Sequence, residues 1–429
     1  MTEKHLTNVT FKELGLAEPL IKALDAKGFQ YCTPIQAKAL PYLLNNQDVA
    51  GQAQTGTGKT ATFLLALLHD LITLPEIAGR KPYEPRALIL APTRELAVQI
   101  YEDAKELTQF TDFKLGIVYG GADYQKQKDQ FDSGVDILIG TTGRVIDYFK
   151  QNVFFLSGID AVVLDEADRM FDLGFIQDIR YLYRRMPPPN DRLNMLFSAT
   201  LSHRVQELAY EHMNNPQHVH VQPEQVTAEA IEQSIFYPSN NEKLPLLVGL
   251  IQKAQPEKAI IFTNTKRDAE MVHCCLAGND FSSALLTGDV PQKKRLALLK
   301  KIKSGEVKFL VATDVAARGL HIDEVSHVYN FDLPDDAEDF VHRIGRTARA
   351  GAKGAAVSFA CEDNAVHLPE IETLIGFTLP KQDIDGSLLA ELKPSIKLNT
   401  VRNSNHSNNR RRSNNTRRPR RRPSAKPQS

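Results

Sequence analysis

Short apolar runs rich in Val, Ile and Leu recur along the chain, each followed by a longer segment whose apolar positions have helical spacing. Runs at 87–90, 115–118, 135–139, 161–164 and 195–197 form one series, and runs at 259–262, 309–311, 325–329 and 355–359 form a second. Strands of this kind, alternating with helices, belong to parallel sheets covered on both faces. The pattern therefore predicts an α/β fold with two tandem parallel-sheet lobes, residues 1–215 and 231–380. Residues 216–230 between them are polar, contain two prolines, and read as a linker. After Val401 the only apolar residue among Asn, Ser, Arg and Pro is Ala425. Such a stretch cannot bury enough surface to offset its ordering entropy, so residues 381–429 are expected to form a disordered tail.

Charge changes this picture only when it is divided along the chain. The 52 basic and 52 acidic residues cancel, and a neutral total argues against a nucleic-acid binder. Yet Glu391 is the last acid, and residues 392–429 carry nine Arg and three Lys, which leaves that segment at +12 and the remaining 391 residues at −12. A mildly acidic body bears a strongly basic tail. Cys32, Cys274, Cys275 and Cys361 contain no Cys-x-x-Cys pair, so neither a zinc site nor a disulfide framework is expected. The apolar stretch Phe63–Leu68 stops at His69 and Asp70, far short of a membrane span, and the first residues carry no secretory signal. A cytoplasmic chain with no membrane partner is the expectation.

Residues 53–60 read AQTGTGKT, between an expected strand at 48–50 and an apolar helix over 61–71. A glycine-rich turn lets backbone N–H groups face a phosphate chain, and the following helix adds its N-terminal partial charge. Ala53, Gln54, Thr55, Gly56, Thr57 and Gly58 would form that cradle. Lys59 would reach the β- and γ-phosphates and the Thr60 hydroxyl a Mg²⁺ ion. About a hundred residues on, Ala161–Asp168 reads AVVLDEAD, an apolar strand ending in acids. Carboxylates at the carboxyl end of a parallel strand sit where such sheets bind ligands. Asp165 is placed to hold Mg²⁺, and Glu166 to orient or deprotonate an attacking water. Phosphate loop and strand-end acids together indicate a nucleoside triphosphatase.

The tetrad Asp165-Glu166-Ala167-Asp168 brings the resemblance into view: the chain resembles the DEAD-box RNA helicases. Their ordered motifs recur from Phe11 to Arg349, through Gly28-Phe29, Thr33-Pro34-Ile35-Gln36, the phosphate loop, Pro92-Thr93-Arg94-Glu95-Leu96, Gly120-Gly121 and Thr142-Gly143-Arg144. Ser198-Ala199-Thr200, Ala312-Thr313-Asp314, Ala317-Arg318-Gly319 and His342–Arg349 complete the series. The resemblance implies two RecA-like lobes, ATP and Mg²⁺ as cofactors, and RNA-stimulated ATP hydrolysis by a monomer. It assigns adenine recognition to Gln36 with Thr33 and Phe29 nearby, ring stacking to Phe11, and arginine fingers to Arg346 and Arg349. Coupling between the lobes falls to Asp168, Ser198, Thr200, His342 and Arg343. RNA backbone contacts fall to Arg94, Gly121, Arg144, Thr263, Arg295 and Thr313.

Gly319–Ile322, Asp332–Asp336 and the arginine-rich tail are most similar to the helicase of the bacterial RNA degradosome. That implies work in RNA degradation and an endoribonuclease scaffold as partner. Three positions depart from the family pattern: Thr142 for Pro, Ala348 for Gly, and His321 for an Asp expected near the ATP ribose. The last implies a weak intrinsic ATPase that depends on a partner. The tail, without an aromatic residue, should hold RNA by counterion release with little sequence preference. Strand separation of RNA, strand separation of DNA, and an ATP-gated RNA clamp all remain open on these residues.

Overall fold

The computed structural model describes residues 6–396 except 54–55, 77–78, 222–230, 318–321, 323–324 and 348–353. Gln54, Thr55, His321, Arg349 and the basic tail from Lys397 onward therefore lie outside the described residues. The first lobe holds seven strands: β1 (Val49–Gln52), β2 (Ala87–Ala91), β3 (Leu115–Val118), β4 (Ile137–Thr141), β5 (Ala161–Leu164), β6 (Leu193–Ser198) and β7 (Gln217–His220). They form one parallel sheet in the order β3-β4-β2-β5-β6-β1-β7. The second lobe holds β8 (Ile231–Phe236), β9 (Ala259–Thr263), β10 (Ser283–Leu286), β11 (Phe309–Thr313), β12 (His327–Asn330) and β13 (Gly354–Phe359). Their order is β10-β11-β9-β12-β13-β8, again parallel throughout.

Alternation along each strand feeds a core on each face of the sheet. In β2, Ala87, Ile89 and Ala91 join one apolar cluster while Leu88 and Leu90 join the other. In the second lobe Ile261 and Val311 point to one cluster, Ile260 and Leu310 to another. Both faces are buried, which is why these strands read as continuous apolar runs.

Two boundaries differ from the sequence expectation. The first sheet extends into the expected linker: β7 pairs with β1 through bonds such as Gln217 N–H to the Asp48 carbonyl at 2.7 Å. It is an edge strand whose only buried side chain is Val219, so its flanking histidines look like linker. The expected tail also begins too early. Gln382 N–H donates to the Ile235 carbonyl at 2.9 Å, Ile384, Leu388 and Leu389 pack on the second core, and Ile396 N–H donates to the Cys274 carbonyl at 3.2 Å. With Ala390 as a fourth apolar contact and Lys393 N–H donating to Asn279 Oδ1 at 3.0 Å, residues 381–396 are tied to the second lobe. Among the described residues no helix is long and apolar enough to cross a membrane.

One buried acid in the first lobe has a pH signature. Asp70, on the helix Lys59–Thr73, is pushed up from 3.8 to about 6, first by burial and then by Asp160, with Arg86 acting in the opposite sense. The folded chain thus holds this proton more tightly than the unfolded chain does. Its cost is absent below pH 3.8 and grows as pH rises to about 6. Asp70→Asn should flatten that slope and raise stability above pH 6 by roughly 1–3 kcal/mol, read from urea melts across pH.

Candidate nucleotide site and nucleic-acid edge

From the phosphate loop onward, the motifs singled out in the first lobe lie at the carboxyl ends of strands, whereas Phe11, Gly28-Phe29 and Thr33–Gln36 precede β1. The phosphate loop follows β1, Asp165–Asp168 follows β5, and Ser198–Thr200 ends β6, and these strands are close neighbours in the sheet. A cavity of about 400 Å³ opens there, lined by Phe11, Phe29, Thr33, Gln36 and Gly56, by Gly58–Ala61, and by Asp165 and Glu166. Arg346 of the second lobe lines the same cavity. Lys27, Tyr31, Gln99 and Asp103 also line it. Sequence reasoning missed these four because they stand outside any recognisable motif.

The end of the cavity expected to take the base is formed by a helix start. The Gln36 side-chain carbonyl accepts from Thr33 N–H at 2.8 Å, and its amide nitrogen donates to the Gly58 carbonyl at 3.3 Å. Gly58 has φ +95°, and a Cβ there would lie 2.7 Å from Gln36 Nε2 and 2.9 Å from Thr33 Oγ1. Only glycine lets the phosphate loop pass this close to the residues expected to read the base. Phe11 is almost fully buried and belongs to the core as well as to the cavity wall, whereas Phe29 is half exposed at the rim.

The phosphate end gathers opposite charges out of water. Lys59 is buried and its ammonium bonds back to the Ala53 carbonyl. Burial pushes the Asp165 carboxyl up to about 7; Lys59 opposes the rise, while Glu166 and Asp168 add to it. Glu166 N–H donates to Asp165 Oδ1 at 2.9 Å, and Glu166 itself sits at φ +49°, ψ +55°. A left-handed conformation is unfavourable for a residue with a Cβ, and such strain gathers at functional sites. One Glu166 carboxylate oxygen is buried with no hydrogen-bond donor among the described residues. Burial lowers the Arg346 pKa and Glu166 opposes that shift. Arg346 Nε–H donates to the His342 carbonyl at 3.2 Å.

The residues expected to couple the lobes divide into two groups. Asp168 is locked within the first lobe, its carboxylate accepting from Ala199 N–H at 3.1 Å and Thr200 N–H at 3.0 Å, while its own N–H donates to Ser198 Oγ at 3.1 Å. His342 faces the same small cavity as Lys59, Glu166 and Asp168. Arg343 does not reach that cluster. It is buried within the second lobe, donating to Asp314 Oδ1 at 2.7 Å, the Asp332 carbonyl at 2.6 Å and Asn264 Oδ1 at 2.9 Å. A guanidinium three residues from Arg346 on a helical turn has room to face its own sheet, and acceptors from three residues there satisfy it.

The sheet order β3-β4-β2 sets Gly121, Arg144 and Arg94 side by side, because each follows one of these strands. Gly120 brings the turn against Arg94, whose guanidinium would lie 3.0 Å from any Cβ added there. In the second lobe Thr263 and Thr313 are register partners at the ends of β9 and β11. Arg295, expected among the RNA contacts, is engaged within the protein. It is largely buried between the lobes, Nε 2.7 Å from Glu95 Oε1, and one terminal N–H donates to the Ala316 carbonyl at 2.6 Å. The Nε–H does not point along the short approach to Glu95, so that contact is a charge pair rather than a hydrogen bond.

Comparison with known proteins agrees with this geometry. The DEAD/DEAH box helicase model matches residues 33–208, and the helicase conserved C-terminal domain model matches residues 242–351. An ATP-dependent RNA helicase RhlB from Vibrio campbellii is 60% identical over 92% of this chain and 90% of its own. One from Vibrio vulnificus is 58% identical over 94% of this chain and 93% of its own. Among solved structures, S. cerevisiae Dbp5 bound to RNA and ADP BeF3 is similar at TM-score 0.76 and 32% identity, covering 87% of this chain and 95% of that one. Mss116p bound to ssRNA and AMP-PNP is similar at TM-score 0.77 and 30% identity, covering 90% and 81%. The two sheets are RecA-like lobes, and the chain belongs to the DEAD/DEAH box helicase family.

Proposed function

We propose that this chain is an ATP-dependent RNA helicase in which ATP closes two lobes on RNA and hydrolysis releases them. The observation that carries the proposal is the shared cavity. Lys59, Thr60 and Glu166 enter it from the first lobe and Arg346 from the second, so only the closed pair of lobes presents a complete set of charges. ATP would lie with its base against Gln36, Thr33, Phe11 and Phe29, and its phosphates on the loop 53–60. Lys59 would hold the β- and γ-phosphates. Glu166, with an acceptor oxygen that meets no donor among the described residues, would orient and deprotonate the attacking water. Arg346 would stabilise charge developing on the transferred phosphoryl group, with Arg349 as the second finger.

Thr60 and Asp165 would hold Mg²⁺, directly or through water, and the ion would neutralise charge on the phosphate chain. Their fit rests on Asp165, a buried carboxyl crowded by Glu166 and Asp168, which a divalent cation would relieve. RNA would run along the edge formed by Arg94, Gly121 and Arg144 and across to Thr263 and Thr313. These contacts are to phosphate and sugar, so they carry little sequence information. Arg295, paired with Glu95, would enter the RNA contact only by exchanging that partner. His342 would sense closure through Asp168, Ser198 and Thr200, with Arg343 acting behind it as a brace.

We further place the protein in the cytoplasm as a monomer, assisting RNA degradation beside an endoribonuclease scaffold of a degradosome-like complex; the likeness to RhlB helicases supports this. RNA-stimulated ATP hydrolysis, measured with single-stranded RNA and with DNA of the same sequence, tests the core of the proposal. Stimulation by RNA and loss on Mg²⁺ chelation are expected; equal stimulation by DNA would overturn the RNA assignment. The tail test follows the corrected boundary. Removing residues 397–429, and sparing 381–396, should flatten the salt dependence of RNA binding by several units in the log–log slope. An unchanged slope would remove the tail from the RNA contact.

A further inference from the structure

Arg144, on the candidate nucleic-acid edge, lies against two aromatic rings. Its guanidinium carbon lies 4.9 Å from the centroid of the Tyr124 ring and 5.3 Å from that of Tyr148. The two rings meet edge to face with centroids 4.7 Å apart. Tyr148 is four residues further along the helix Thr142–Lys150, so helical geometry alone makes it a neighbour of Arg144. Tyr124 comes from elsewhere: it begins the short helix Tyr124–Lys128, three residues after Gly121. Arg144 Nη1 donates to the Tyr148 hydroxyl at 3.2 Å, and that hydroxyl donates to the Tyr124 carbonyl at 2.7 Å. Tyr148 is fully buried, and burial pushes its phenol up, so it remains a hydrogen-bond donor across the working pH range. Asp147, half exposed, lies 3.7 Å from Arg144 Nε.

A surface arginine held for solubility does not need this enclosure. Planar guanidinium groups stack on aromatic faces, where an ammonium would not fit in the same way. Stacking fixes the plane of the fork and removes rotamers that a free side chain would have to give up on binding a phosphate. The bond from Tyr148 to the Tyr124 carbonyl links the helix carrying Arg144 to the segment that follows the Gly120-Gly121 turn. We propose that Tyr124 and Tyr148 are positioning residues that pre-set Arg144 for an RNA phosphate and join it to the Gly120-Gly121 turn as one rigid backbone-binding unit. This proposal rests on Arg144 being an RNA phosphate contact. The two tyrosines act differently. Tyr148 works through its hydroxyl; the Tyr124 hydroxyl is buried with no hydrogen-bond partner among the described residues, so Tyr124 works through its ring and carbonyl.

The test uses the full chain, with two readouts: the single-stranded RNA concentration that half-saturates ATPase stimulation, and RNA binding by fluorescence anisotropy with a non-hydrolysable ATP analogue. Tyr148→Phe and Tyr124→Leu should each raise the half-saturating RNA concentration about 3- to 10-fold, the weight of one lost hydrogen bond or ring contact. kcat at saturating RNA and KM for ATP should stay within about twofold, since the phosphate loop is untouched. Tyr124→Phe should restore what Tyr124→Leu loses. Arg144→Ala should weaken RNA binding at least as much, and Tyr148→Phe should add less than about twofold in that background. If Tyr148→Phe costs the same with or without Arg144, the tyrosine acts on the fold and the proposal fails. If Tyr124→Phe is as impaired as Tyr124→Leu, the ring does not carry the effect and the proposal also fails. If Arg144→Ala leaves RNA binding intact, the error lies in the phosphate contact itself. Should Tyr148→Phe melt too early to assay, the Tyr124 pair and Arg144→Lys, which keeps charge but loses the fork and stack, decide the matter by the same criterion.

Discussion

Arg346→Ala should lower ATP hydrolysis by about three to five orders of magnitude at saturating RNA, with ATP affinity changed only a few-fold. Arg346 is the described second-lobe residue that lines the cavity holding Lys59, Thr60 and Glu166. It is buried, and Glu166 opposes the loss of its proton. A guanidinium so placed stays charged, and in a dry cavity its effect on developing phosphate charge is far larger than in water. On the proposed function ATP binding would draw instead on first-lobe groups: Gln36 and Thr33 at the base end, and the phosphate loop with Lys59. Single-turnover hydrolysis and equilibrium nucleotide binding separate these two effects. Arg346→Lys should rescue little, because one ammonium cannot reproduce the planar fork. A loss below about tenfold would show that the second lobe does not complete the catalytic site.

Glu166→Gln should reduce hydrolysis by about two to four orders of magnitude while RNA and ATP stay bound. The substitution keeps the side-chain shape and removes one negative charge from a buried acidic group that also contains Asp165 and Asp168. The left-handed backbone at Glu166 is set by the end of β5 and the start of the helix Ala167–Asp172, so the amide is held where the carboxylate was. With less repulsion toward the γ-phosphate and no turnover, the closed RNA complex should persist. RNA release measured by competition should slow markedly relative to the wild type. Rapid release together with lost hydrolysis would mean that Glu166 supports closure itself.

How far the sequence carried the fold depends on burial. β3 and β5 appear at their expected residues, 115–118 and 161–164, because both are apolar runs inside a sheet covered on two faces. β7 and β8 were not legible. Each lies at a sheet edge and alternates buried with polar positions, which weakens the signal of a two-sided strand. The packed segment 381–396 was hidden for a similar reason: its few apolar residues dock on a core that exists only after the second lobe has folded.

At the site, contiguous motifs singled out Lys59, Asp165 and Glu166, the family resemblance singled out Arg346, and all four line one cavity. Spacing could not decide direction. Arg343 and Arg346 are three residues apart, yet one turns to Asp314 and the other into the nucleotide cavity. Nor could it show pairs that form between distant segments, such as Glu95 with Arg295 or Tyr124 with Arg144. The neutral total charge is explained by the same division. On the proposed function a few phosphate contacts along one edge and in one cavity suffice for the acidic body, and the bulk of positive charge stands after residue 391.

The most direct measurement is ATP-driven strand separation on a short RNA duplex and on a DNA duplex of the same sequence, with Glu166→Gln alongside. The wild-type chain should separate the RNA strands only when ATP is present and leave the DNA duplex paired, and Glu166→Gln should fail to turn over. RNA-stimulated hydrolysis without strand separation would contradict a helicase and identify an ATP-gated clamp, and equal separation of both duplexes would contradict the assignment to RNA.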